Sequence, residues 1–136
     1  MVVMFEWNDQ LRTGISSIDA QHKTLFAIGA ELHAAMSAGQ SREKMHRILT
    51  RLLDYTGTHF AHEERLMQLH RYPDYAAHKA EHDALTRQVT QFYDEFHHGQ
   101  ISVSVRLLKF LENWLKTHIG KSDKRYAPFL AARAVA

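Results

Sequence analysis

The chain has 136 residues with two prolines, six glycines and no cysteine, long enough for one domain with a real core and permissive of long helices. The formal charge of +2 arises from lysines and arginines spread along the sequence, with a pI near 9.0, and no basic run points to nucleic acid. Lack of cysteine excludes disulfides, thiolate zinc sites and cysteine-ligated iron–sulfur clusters, while Glu6 in MVVMFEWNDQ and the absence of a long apolar run argue against a secretory leader or a membrane span, so the expected location is cytoplasmic.

Residues 1 to about 17 lack helical periodicity and read as an extended arm, with Phe5, Trp7 and Ile15 available to pack on a helical body. A first helix is expected over about 17–38, ending before Gly39, and Ser41 is placed to cap a second that runs over about 41–69. Pro73 and Asp74 open a third over about 74–98, which ends before Gly99; a fourth begins near 102 and stops around Gly120. The alanine-rich stretch 127–136 either adds a short helical turn or frays. Short linkers make neighbours antiparallel, so the predicted fold class is all-α: a single domain over 1–136 forming an up-down-up-down antiparallel four-helix bundle with an N-terminal extended arm.

Two short pairs then stand out, His59 with Glu63 in HFAHE and His78 with His82 in HKAEH. Four residues turn an α-helix through about 40° and advance it about 6 Å, so each pair occupies one face, one turn apart. With eleven histidines in the chain, such pairs arise by accident, and the stronger test is whether they lie on apolar stripes. His78 and His82 align with Leu85, Val89, Phe92 and Phe96; His59 and Glu63 align with Ile48, Leu52 and Leu66. His22 heads a third stripe with Phe26, Gly29, Leu32 and Met36, and His118 closes a fourth made of Val103, Leu107, Leu111 and Trp114. In an up-down-up-down bundle the start of the first helix, the end of the second, the start of the third and the end of the fourth share one end, so these side chains converge. For any single histidine, a hydrogen-bonded core imidazole is the better reading. For the whole set a metal is, because burying so many polar groups without partners costs several kcal/mol.

Asp123 stands five residues after His118, about 140° around a regular α-helix and therefore facing away from the core. Spacing alone divides evenly between a chain reversal at Gly120 that swings Asp123 back to the imidazoles and a solvated aspartate in the charged turn KSDKR. The Glu-x-x-His pairs Glu43/His46 and Glu95/His98 invite comparison with ferritin-like di-metal proteins, but both glutamates fall off the inward stripes. His62 reads as a surface or supporting residue, and His33 as a core histidine about three turns from His22. No serine or cysteine nucleophile with a histidine partner and no phosphate-binding glycine loop is present.

The segments LRTGISSIDAQHKTLF, HFAHEERLM, HKAEH and WLKTHIGKSDKRY, in this order and spacing over nearly the whole chain, resemble those of the bacteriohemerythrins. The resemblance implies a non-haem di-iron site with an oxo or hydroxo bridge, in which His78, His82 and His118 bind one iron, His22 and His59 the other, and Glu63 and Asp123 bridge. It favours the inward reading of Asp123. Counting about twelve positions on two six-coordinate irons leaves about one open, on the iron held by His22 and His59, where O2 would bind end-on as a hydroperoxide. Trp114, Leu115 and Ile119 are then candidates to wall the O2 pocket.

The function implied is reversible O2 binding for storage or for delivery to an oxygen-requiring enzyme, rather than catalysis; separately, the chain is expected to be a monomer. A di-iron oxidase, peroxidase or nitric oxide reductase at the same site is the alternative from another class, disfavoured by mostly neutral imidazole ligands and by the lack of a poised acid or base. An oxygen sensor is the third, and 136 residues leave little room for an output domain.

Overall fold

The computed structural model describes residues 5–99 and 105–133. Helix α1 spans Ser16–Ser37, α2 Arg42–Leu69, α3 Tyr75–His97 and α4 Val105–Thr117; a π-helical turn, His118–Ser122, leads directly into α5, Asp123–Ala131. Val103 and the expected start of the fourth helix near 102 lie outside the described residues. The four long helices form a four-helix bundle, with α1 against α2 and α4, and α2 against α3. Rings of Phe92 and Phe110, with centroids 5.1 Å apart, join α3 to α4.

Local chemistry sets the ends of these helices. Ser41 accepts a hydrogen bond from the Lys44 amide at 3.1 Å and so caps α2. Gly39 and Gly99 take φ of +66° and +76° just past α1 and α3, a left-handed conformation that other residues adopt only at a cost. Before α1, Asp19 accepts from the Thr13 amide and hydroxyl, both at 2.8 Å, and from the Gly14 amide at 3.2 Å, which fastens the arm to the first turn of the helix. The arm contains one 3-10 turn, Asp9–Leu11.

Apolar residues separate into two clusters. The larger fills the bundle with Leu25, Phe26, Leu32, Leu49, Leu52, Val89, Phe96, Leu107, Leu108 and Leu111, all at most 1% exposed; each such side chain contributes about 1.5–3 kcal/mol by leaving water. The smaller comprises Ile15, Ile18, Met67, Tyr72, Tyr126, Ala127 and Leu130 and closes one end. The C-terminal stretch is thus helical through Ala131, and its apolar face belongs to this chain's own cap. His33 is half-buried rather than a core residue, because the stripe it shares with His22 rotates away from the bundle axis over three turns.

Phe5 of the arm packs into the larger cluster over Gly29. A Cβ at position 29 would stand 2.8 Å from Phe5 Cε1 and 2.9 Å from Phe5 Cγ, so the whole ring would have to move. Gly29→Ala should therefore destabilise the protein by about 1 kcal/mol: expelling a phenylalanine loses about 1.5–3 kcal/mol, offset by about 1 kcal/mol of helix propensity. Urea unfolding would measure it, with faster proteolysis of the arm as the companion sign.

Candidate metal centre

Between the two apolar clusters the elements bring seven polar side chains together. His22 comes from α1, His59 and Glu63 from α2, His78 and His82 from α3, His118 from the π turn and Asp123 from the start of α5; all are at most 5% exposed. The i,i+4 pairs point inward as their spacing requires.

Asp123 arrives by a route other than a chain reversal. Gly120 is not among the residues with positive φ, and the helix does not stop there. Instead, the Asp123 amide bonds to the His118 carbonyl, an i to i+5 link. A π turn absorbs one extra residue, so positions five apart come onto the same face and the 140° calculated for a regular α-helix does not apply. His118 Nε2 and Asp123 Oδ1 lie 3.0 Å apart as a result.

Each carboxylate divides its oxygens between two sets of imidazoles. Glu63 Oε1 contacts His59 Nε2 and lies 3.5 Å from His22 Nε2, while Oε2 lies 3.5 Å from His78 Nε2 and 3.6 Å from His82 Nε2. Asp123 Oδ2 lies 3.0 Å from His22 Nε2, and Oδ1 3.1 Å from His78 Nε2. Two overlapping groups result, His78, His82 and His118 with both carboxylates, and His22 and His59 with both carboxylates; within each, the donor atoms fall inside 4.8 Å of one another.

Hydrogen bonding does not account for this arrangement. All four carboxylate oxygens and the Nε2 atoms of His22, His59 and His78 are buried without a hydrogen-bond partner. The outer nitrogens, by contrast, are fixed: Nδ1 of His59 donates to Gln21 Oε1 at 2.6 Å, Nδ1 of His82 to Glu64 Oε2 at 2.9 Å, and Nδ1 of His118 to Glu81 Oε1 at 2.9 Å. A carboxylate or carbonyl oxygen can only accept, so these rings carry their proton on Nδ1 and, when neutral, turn the Nε2 lone pair inward. His82 and His118 thus bring two Nε2 atoms within 3.0 Å, which needs a cation or a proton between them. The nitrogen and oxygen donors, orphaned and convergent, fit two metal ions of the kind imidazole and carboxylate bind.

In the metal-free chain, protons take the place of cations. Burial pushes the imidazolium forms of His22 and His78 down, but contact with Asp123 and Glu63 outweighs it and raises both from 6.5 to about 9. Burial works against the charged forms of Glu63 and Asp123 as well, and the surrounding imidazoles nonetheless hold both below the usual carboxylate range. A folded pKa raised from 6.5 to about 9 gives stability that is complete below pH 6.5 and lost as pH climbs through about 9. The metal-free protein should therefore lose a few kcal/mol on going from pH 6.5 to above 9, read as a falling melting temperature. Saturation with divalent metal should abolish that decline.

Trp114, Leu115 and Ile119 line a narrow apolar crevice together with Leu25, Phe60, His59 and His118. Phe60 also stacks on His82, with centroids 3.8 Å apart and planes 6° from parallel. On the opposite side, His78 lines a surface hollow with Tyr72, Asp74, Glu81 and Arg125. Helical spacing does not single out Gln21, Glu64, Glu81 or Phe60. Each of the first three is a chain neighbour of a converging histidine or carboxylate, a polar residue beside a stripe, and that adjacency is the signal that could have found them. His62 is half-buried; its Nε2 lies 3.1 Å from Ser17 Oγ and its Nδ1 3.2 Å from an Arg65 nitrogen. Glu43 is paired with Arg47 on the surface.

The sequence model of the hemerythrin HHE cation binding domain matches residues 13–130. A bacteriohemerythrin of Methylococcus capsulatus is 40% identical over 120 residues, covering 88% of this chain and 91% of that protein. A bacteriohemerythrin of Pseudomonas aeruginosa is 37% identical over 88% of this chain and 77% of its own length, and a hemerythrin-like protein of Naegleria gruberi 30% identical over 90% of each. A crystal structure of wild-type hemerythrin superposes with a TM-score of 0.87 at 38% identity, covering 93% of this chain and 97% of that one.

Proposed function

We propose, on the premise that this chain belongs to the hemerythrin family, that it binds O2 reversibly at a non-haem di-iron centre and serves storage or delivery rather than catalysis. The observation that carries the reading is the pair of overlapping donor groups sharing both oxygens of Glu63 and of Asp123. His78, His82 and His118 would hold one iron and His22 and His59 the other, with the two carboxylates across both. Two ferrous ions held there would supply the two electrons that O2 takes up.

The chain's own residues then have distinct tasks. Glu63 and Asp123 lower the charge of two cations in a core that is otherwise apolar. Three imidazoles on one side and two on the other leave the two-histidine side with the fewer ligands, so that is the side on which O2 has room. The crevice of Leu25, Phe60, Trp114, Leu115 and Ile119 meets His59 of that side and His118 of the other and is closed to a water-sized molecule, so O2 would enter only as its apolar walls part, and such walls favour an apolar diatomic molecule over water. Among the described residues no helix is long and apolar enough to cross a membrane.

The deciding experiment is anaerobic reduction of the iron-loaded protein followed by cycles of O2 addition and removal. Repeated stoichiometric uptake and release, followed by a visible charge-transfer band that appears and fades, supports carriage. Continuous consumption of O2 or peroxide with a reductant would make the chain an enzyme and overturn the proposal.

A further inference from the structure

The two halves of the centre differ in what stands behind their imidazoles. On the three-histidine side, His82 and His118 donate from Nδ1 to the carboxylates of Glu64 and Glu81. Glu64 comes from the same helix as Glu63, one residue on, and Glu81 from α3 between His78 and His82, so α2 and α3 each supply one. Glu81 also accepts from the Ser122 hydroxyl of the π turn, which ties α3 to the segment that carries His118 and presents Asp123. On the two-histidine side, His59 donates to the neutral amide oxygen of Gln21, and His22 Nδ1 is buried with no partner.

A carboxylate accepting from Nδ1–H draws the proton outward and leaves more negative charge at Nε2, which strengthens the bond from Nε2 to a cation; an amide does so weakly and an absent acceptor not at all. We propose that Glu64 and Glu81 are positioning residues that make the centre unequal, so that the three-histidine half takes a divalent ion first and releases it last, while the two-histidine half, backed only by Gln21, is the labile one. This rests on the two-metal reading above and needs no O2 chemistry. It also gives the pair a use: the half with fewer ligands stays loosely supported without loss of the ion beside it.

The extra imidazole on that side works in the same direction, so the test must isolate the outer carboxylates. Glu64 and Glu81 keep 19% and 37% of their side-chain surface exposed, and Glu64→Gln and Glu81→Gln preserve their size. The full chain is loaded with two equivalents of Zn2+ and challenged with a rising concentration of chelator, with the histidine ring resonances followed by NMR. In the parent, His22 and His59 should revert to their metal-free positions first, and His78, His82 and His118 only at higher chelator. In Glu64→Gln and Glu81→Gln the second release should move to lower chelator by about 10–100-fold in affinity with the first release unchanged, and Gln21→Glu should tighten the first release instead.

Simultaneous release of all five histidines in the parent would overturn the proposal, as would Gln variants that weaken both releases equally, the result of a merely structural role. Melting temperatures of the metal-free variants separate the latter from loss of fold. A chain that releases Zn2+ in the expected order yet never takes up O2 reversibly would sink the carrier reading and leave this inference standing. The opposite pattern, reversible O2 uptake with simultaneous release, would do the reverse.

Discussion

Glu63→Ala should leave a chain that retains at most about one metal ion where the parent retains two, with affinity for the second reduced more than about 100-fold, beyond the 10–100-fold typical of an outer partner. Its Oε1 faces His22 and His59 and its Oε2 faces His78 and His82, so it is the side chain that touches four of the five imidazoles. Two dications held about 3.5–4 Å apart repel by on the order of 20 kcal/mol at an effective dielectric near 20, and only anions placed between them make double occupancy possible. With Glu63 removed, Asp123 alone carries that burden.

Glu63→Gln separates charge from volume, because the amide fills the same space at 0% exposure. It should lose the second metal as Glu63→Ala does while avoiding the cavity that the smaller side chain leaves. Iron analysis of the purified variants, beside their melting temperatures, provides the measurement. Two irons retained by Glu63→Gln would mean that this carboxylate is not shared between the ions.

How much of this was legible in the sequence depends on the geometry each residue obeys. The pairs His59/Glu63 and His78/His82 follow the period of a regular α-helix, so spacing alone placed them on one face, and the connectivity of a bundle brought the faces to one end. Asp123 obeys a different period. The π turn over His118–Ser122 has no compositional mark in HIGKS, and a residue five positions on cannot be assigned a face until the turn is known to be widened; Gly120 suggested a reversal that the chain does not make. The outer partners were hidden for a related reason. Gln21, Glu64 and Glu81 sit next to inward residues, about 100° around their helices, where a polar side chain ordinarily meets water. Only the contacts of α1 with α2, of α2 with α3, and of α3 with the π turn bring Gln21, Glu64 and Glu81 to a neighbouring histidine.

The cap was likewise only half legible. In the sequence Ile15 is available to pack and the stretch 127–136 is open between a helical turn and a frayed end, but the joining of Ile15, Ile18, Met67, Tyr72, Tyr126 and Leu130 into one cluster depends on α5 continuing from the π turn without a break. That continuity places the Tyr126 ring 5.3 Å from the His78 ring, with its hydroxyl pushed well above the ordinary tyrosine range by burial and by the Asp123 and Glu63 carboxylates. The Tyr126 ring thereby covers His78 from the cap, while the crevice beside His59 and His118, proposed above as the approach of O2, is walled by residues of the larger cluster.

Opening that crevice to water is the second change with a large expected effect. Leu115 and Ile119 are each 1% exposed and lie one turn apart on the segment that ends in His118 and Asp123. The buried Trp114 Nε1–H can meet the oxygen of an asparagine at either place but not its amide hydrogens, and the least costly remedy for those is to recruit water. At the iron pair these residues would hold, the apolar side chains of Leu115 and Ile119 would keep water and protons out, and their replacement would shorten the life of the O2-loaded state by speeding its loss. If the barrier to that loss falls by about 1.4 kcal/mol, Leu115→Asn and Ile119→Asn will lose their O2-loaded form about tenfold faster than the parent at the same pH. Leu115→Met and Ile119→Val, which keep the walls apolar, should decay at close to the parental rate. The charge-transfer absorption after O2 addition follows the decay directly, and metal content must stay at two per chain for the comparison to hold. Equal decay in the asparagine and the conservative variants would show that the dryness of this crevice is not what protects the loaded state, and would move the search for O2's approach to the hollow beside His78.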